Sequence, residues 1–178
     1  MFQKILNSRF LLIYLIPFLL GVTSVFTFQP YNLSFINFVI LPIFFLIIVY
    51  IKKRFKNIYR KKPFQKNLFL LGLVFGFGFY FSGIFWVSYS LTFDDSFKFL
   101  IPFSLIIIPL FLGLFTGATT LIVGQYLNYN FSSILLFSGS MALSDYIRGK
   151  ILSGFPWNVW AYSWSWITEI LQILNLVG

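Results

Sequence analysis

The chain has no cysteine and no histidine among its 178 residues, and only four acidic side chains. The missing cysteine excludes disulfides and thiolate nucleophiles, and the missing histidine removes the commonest metal ligand. Four carboxylates supply metal or paired-carboxylate chemistry poorly, so no metal, no cofactor and no catalytic residue is predicted within this chain. Charge of either sign is scarce. Charged residues make up 10% and hydrophobic residues 59% of the chain, against roughly 25% and 45–50% in soluble domains. That balance excludes an ordinary soluble domain.

What is present is apolar and aromatic. Phe alone occurs 26 times. Several apolar runs are long enough to cross a hydrocarbon core. The fold class expected is all-α, a polytopic transmembrane helix bundle of five spans plus the start of a sixth. The whole chain, 1–178, reads as one transmembrane domain. Its spans are expected at about 10–28, 33–51, 67–91, 97–125 and 131–147.

Residues 1–9 form a short basic leader with Lys4 and Arg9. A cleaved signal peptide is the competing reading of the first span. It fails because no small-x-small site marks a boundary and further spans follow at once. Pro17 is expected to kink this span. Gln29-Pro-Tyr-Asn32 carries turn residues, which makes the first two spans a hairpin. Lys52, Lys53, Arg54, Lys56, Arg60, Lys61, Lys62 and Lys66 are expected in one interhelical loop, 52–66, the topogenic mark of a cytoplasmic face. The net charge of +9 therefore points to topology and anionic lipid rather than nucleic acid, for which no folded module is evident.

The third span holds Gly72 and Gly76 in a G-x-x-x-G pair, with Gly83 and Trp86 beyond it. The fourth holds Gly113 and Gly117. Glycines at this spacing let helix backbones approach closely. These five glycines are expected at helix contacts, and simple packing is a plainer reading than a lipid-tail groove. Pro102 and Pro109 are expected to interrupt the fourth span.

The organising stretch is Asp145 to Trp157. Asp145 and Arg148 stand three apart, which puts them on one helix face. Lys150 follows, and Gly154 and Pro156 prevent a regular helix from continuing. The plainer reading is a helix terminus with snorkelling cations and an aromatic belt, since four of the five Trp lie between 157 and 166. With the N-terminus inside, ten of the thirteen basic residues fall on the inner side. Lys98, Arg148 and Lys150 fall outside and are functional candidates for that reason. Arg148, held by Asp145, keeps donors free for a lipid phosphate at the outer surface. Residues 167–178 read as an interfacial helix or the start of a sixth span, and the sequence looks cut off at its end.

Three motifs in register resemble the N-terminal membrane part of bacterial apolipoprotein N-acyltransferases. They are Phe28-Gln-Pro-Tyr-Asn32, then Gly76-Phe-Gly78 through Gly83 to Trp86-Val-Ser88, and then Asp145-Tyr-Ile-Arg148-Gly149 with Ser153-Gly-Phe155-Pro156-Trp157 and Tyr162. The family pattern has Glu where Asp145 stands and Gly where Ala161 stands. The resemblance implies an inner-membrane enzyme that moves an acyl chain from a phospholipid to the N-terminal cysteine amine of an apolipoprotein. It implies a thioester on a cysteine, in a Glu-Lys-Cys arrangement carried by a periplasmic nitrilase-like domain. None of that domain is in this chain, so the fragment alone is expected to be inactive. What the resemblance implies here is a membrane platform with Arg148, Asp145, Lys150, Phe155, Pro156, Trp157, Tyr162 and Trp86 as lipid or substrate contacts, and loop 153–166 periplasmic. Alternatives are a small transporter or channel subunit and a structural membrane anchor. The first lacks acidic or basic residues in the span interiors for an ion relay.

Overall fold

The computed structural model describes residues 8–56, 63–151 and 158–177. Among these residues the chain is helical throughout and has no strand. Helix α1 (Leu11–Thr27) opens in a π-helical turn, where the Ile16 N–H reaches back to the Leu11 carbonyl. Pro17 sits in the first turn of the α-helical part that follows. There its missing N–H costs little. The turn after α1 forms as the sequence predicts. Tyr31 and Asn32 N–H groups both donate to the Phe28 carbonyl, and Asn32 takes a positive φ of 55° that asparagine tolerates.

Helix α2 (Asn37–Lys56) is preceded by a 3₁₀ turn, Ser34–Ile36. Helix α3 (Pro63–Gly83) follows, then 3₁₀ segments at Phe85–Thr92 and Asp95–Leu100. Helices α4 (Ile101–Gly124) and α5 (Phe131–Lys150) form the next pair. A 3₁₀ turn at Trp160–Trp164 and helix α6 (Thr168–Val177) complete the described chain.

Three expectations are corrected here. The third span ends at Gly83 and not near residue 91. Beyond it, Ser88, Ser90 and Thr92 hydroxyls each donate to the carbonyl three residues back. These bonds favour the tighter 3₁₀ winding, although the hydropathy runs on without a break. Pro102 and Pro109 do not interrupt the fourth span. Pro102 lies in the first turn of α4, and Pro109 is carried inside the helix. The basic loop is shorter than expected, because Lys52 to Lys56 continue α2 and Pro63 already begins α3. Among the described residues three helices are long and apolar enough to cross a membrane: Ser34–Phe55, Phe64–Gly83 and Asp95–Gly124. Helix α1 is shorter, and α5 is diluted by serines and ends in charge.

Helix α3 is the centre of the bundle, and its glycines explain why. Gly72 and Gly76 face α4, where a Cβ on Gly72 would lie 2.0 Å from Thr120 Oγ1 and 2.7 Å from the Thr116 carbonyl. Gly76 and Gly113 meet directly, and Gly117 lies against Phe69. The two G-x-x-x-G motifs therefore face one another. Thr120 Oγ1 bridges the helices by donating to the Leu68 carbonyl at 2.8 Å. On the opposite face of α3, Gly78 meets the Phe18 carbonyl, and Gly21 of α1 meets the Phe75 carbonyl. Gly83 makes no helix contact of this kind. It lies beside the Asn158 side chain, because α3 has ended there.

Lys52 is also not the solvated loop cation that its position suggests. It is buried, and Nζ donates to the Leu127 carbonyl at 2.8 Å and to Asn128 Oδ1 at 3.1 Å. The ammonium ties α2 to the turn between α4 and α5. Lys52→Met should therefore lower unfolding stability by about 1–3 kcal/mol, read by thermal unfolding in detergent. A neighbouring control, Lys53→Met, should cost less, since Lys53 is exposed and its ammonium lies over the Tyr129 ring at 4.1 Å.

Candidate lipid groove and its polar end

The last turns of α5 bring Asp145 and Arg148 together as their spacing predicts. Arg148 Nη2 donates to Asp145 Oδ1 at 2.9 Å. The pair is not at the surface, because Arg148 is only 3% exposed. Its guanidinium is turned toward α3 and lies 5.1 Å from the centre of the Tyr80 ring. Nε and Nη1 are buried without a hydrogen-bond partner among the described residues. The outward phosphate contact expected of Arg148 is thus not the geometry found. Lys150 holds the exposed position instead, with Nζ 5.7 Å from the Tyr146 ring centre.

The second carboxylate oxygen of Asp145 accepts the Trp160 backbone N–H at 3.2 Å. One side chain therefore fixes both the helix end and the segment that returns over it. Trp160 is inserted between helices, stacked on Phe79 at 4.7 Å with rings 6° from parallel, and flanked by Phe75 and Phe28. Ser34 seals the same segment. Its hydroxyl donates to the Ser163 carbonyl and accepts the Trp166 indole N–H at 2.7 Å. Asn37 donates to Ser163 Oγ at 3.1 Å. The Trp-rich stretch is therefore a docked plug rather than a loose belt. Sequence reading did not single out Trp160, Ser34, Asn37 or Tyr80. The available signal was a polar pair, Ser34 and Asn37, at the mouth of an otherwise apolar helix.

Between helices α2 and α5, beside this plug, lies a groove of about 1320 Å³. Its walls are mostly apolar, among them Pro42, Phe45, Phe137 and Ala142. Asp145 and Lys150 border one end, with Trp160 and Tyr162 beside them, and Tyr129 borders the other. Partial burial, with nearby Tyr50 adding to it, raises the Tyr129 phenol above its ordinary range. Helix α5 rises ~30 Å over its length, comparable with a hydrocarbon core. A second cavity of about 450 Å³ brings Trp86 and Tyr162 together with the turn after α1. Phe155, Pro156 and Trp157 lie outside the described residues. No group of three or more acidic residues that could hold a metal is found among the described residues.

These features define an all-helical protein with helices long and apolar enough to cross a membrane, a mostly apolar groove, and an ion pair locked beneath an aromatic plug. A sequence profile described as the apolipoprotein N-acyltransferase N-terminal domain matches residues 20–178. The chain belongs to that family. A relative from Brucella melitensis named apolipoprotein N-acyltransferase is 28% identical over 167 residues, covering 92% of this chain and 31% of the relative. One of the same name from Rickettsia bellii is 32% identical over 109 residues, covering 61% and 22%. Another, from Rhodopseudomonas palustris, is 30% identical over 110 residues, covering 61% and 20%. The chain thus spans less than a third of the length of these curated relatives.

Proposed function

We propose that this chain is the membrane platform of an N-acyltransferase that takes an acyl chain from a phospholipid and delivers it to the N-terminal amine of an apolipoprotein. The observation that carries the reading is the groove between α2 and α5, apolar along its length and ending at Lys150 and the Trp160 plug. A fatty chain entering sideways from the bilayer meets apolar walls, while its phosphate reaches Lys150 at the lip. The basic residues around Lys52 to Lys66 support an inner location for the opposite end of the groove, at Tyr129. The groove's polar end then lies at the outer leaflet, with loop 153–166 periplasmic. Arg148 acts here as a positioning residue, since it holds Asp145 and, through it, Trp160.

The chemistry belongs to a part outside this chain. A thioester route needs an activated thiolate, and the sequence has no cysteine. The test uses a strain depleted of its own N-acyltransferase, with lipoprotein N-acylation read by mass spectrometry. The chain alone should give no acylation. The chain joined in register to the remainder of the Brucella melitensis relative should restore it. Ala142→Trp, which fills the groove, should lower the fusion's rate by on the order of tenfold or more. A folded, inserted fusion without activity would overturn the reading, as would acylation by the chain alone.

A further inference from the structure

The two ends of the bundle treat arginine differently. At the plug, Arg148 is paired with Asp145. At the other end, Arg9 Nη2 donates at 2.6 Å to the side-chain oxygen of Asn67, a neutral acceptor. The Arg9 guanidinium lies 6.0 Å from the centre of the Phe55 ring, and that of Arg54 lies 5.5 Å from the same centre. The first acidic residue of the sequence is Asp94, so α1, α2 and α3 carry no carboxylate side chain. We infer that Arg9, Arg54 and Asn67 form a binding site for the phosphate of an anionic phospholipid, separate from the groove. Arg54 follows Lys52 at the end of α2 that meets the turn before α5, whereas Lys150 closes α5. The site is thus at the opposite end from Lys150, and it does not rest on the proposed acyl transfer.

Two like charges gathered at one ring repel each other unless an anion joins them. A carboxylate at position 67 would cancel the charge of Arg9. The amide instead orients the guanidinium and leaves its charge intact, and a fork so held suits the oxygens of a phosphate. Asn67 is itself fully buried, and its Nδ2 has no hydrogen-bond partner among the described residues. A buried donor in that state costs free energy until an acceptor reaches it. It belongs to the same amide that holds Arg9. Arg9 is exposed and open to a ligand, and Lys66, next to Asn67 in the chain, is exposed as well. Phe10, beside Arg9, is 64% exposed on an apolar helix. A free phosphate ion would use the cations alone, whereas a lipid also covers Phe10 and lays its chain along α1. Lys53 is the contrast. It adjoins Arg54 in the chain, yet its ammonium lies over Tyr129 at the groove.

The test is lipid retention by the full chain, purified in detergent and equilibrated with mixed micelles. The micelles contain equal phosphatidylglycerol and phosphatidylcholine of matched acyl chains. Bound lipids are counted by native mass spectrometry. The wild type should retain phosphatidylglycerol over phosphatidylcholine by on the order of tenfold. Arg9→Gln should lower that ratio about fivefold, and adding Arg54→Gln should bring it close to one. Asn67→Leu changes no charge and removes the amide, and it should lower the ratio as Arg9→Gln does. Unfolding midpoints in phosphatidylcholine micelles check that each variant is folded. If Asn67→Leu does not fold, the two arginine variants decide. Lys53→Gln removes one positive charge away from the site and should leave the ratio within about twofold of the wild type. No preference in the wild type, or equal loss in Lys53→Gln and Arg9→Gln, overturns the inference. So does release of the lipid by sodium phosphate beyond that by sodium chloride of matched ionic strength, which would mark a site for the free ion.

Discussion

Asp145→Ala should destabilise the protein by about 3–5 kcal/mol, because removing one partner of a buried ion pair leaves the other charge uncompensated. Arg148 is the charge left behind, 3% exposed and already with two nitrogens unpartnered among the described residues. The substitution also takes away the acceptor for the Trp160 N–H. The loss should appear twice, as a lower unfolding midpoint in detergent and as protease sensitivity of the segment at 158–166. Adding Arg148→Met should recover much of the midpoint, since the orphaned guanidinium is then gone. It should not recover the protease protection, since the Trp160 N–H still lacks its carboxylate. Strictly additive effects of the two substitutions would show that the pair is not coupled. Asp145→Glu keeps the charge and should cost far less.

Gly72→Ala is expected to be the most damaging single methyl on the α3–α4 face. Its Cβ would stand 2.0 Å from Thr120 Oγ1 and 2.7 Å from the Thr116 backbone carbonyl. The threonine hydroxyl can rotate only by giving up its bond to Leu68, and the carbonyl cannot rotate at all. Overpacking of this kind costs typically about 1–3 kcal/mol, and a backbone obstacle puts Gly72 at the upper end or beyond. Gly139→Ala is the internal control. Nothing lies within 4 Å of a Cβ there, so the change should be neutral or stabilising by about 0.5–1 kcal/mol through helix propensity. Equal effects at the two positions would refute the interlocked packing of α3 on α4. Thermal unfolding of the two purified variants decides between these outcomes.

The parts of this architecture that depend on local spacing were legible in the sequence. Asp145 and Arg148 pair because they are one helical turn apart, and the two G-x-x-x-G motifs pack closely because glycine has no side chain to prevent it. That the two motifs pack on each other was not legible, since spacing within a helix says nothing about its neighbour. Lys52 was misread for a related reason. A lysine just past an apolar run looks solvated until a distant turn, at Leu127, is folded beneath it. The end of α3 at Gly83 was hidden because hydropathy does not distinguish α from 3₁₀ winding. Arg148 was placed at a surface because sequence gives its depth along the membrane and not the direction in which it points. Trp160 could not be told from the Trp at 164 and 166, as all three share one short aromatic stretch.

The Ser34 hydroxyl joins residues 129 and 132 positions away along the chain. A hairpin made early in synthesis must therefore wait, with Phe28, Phe75 and Phe79 lacking the Trp160 ring, until the chain has been made past Trp166. The membrane bundle is thus closed by a segment made 129 residues after the hydroxyl that anchors it, like a keystone. Nascent chains halted before residue 158 should insert in the bilayer yet stay open along that seam.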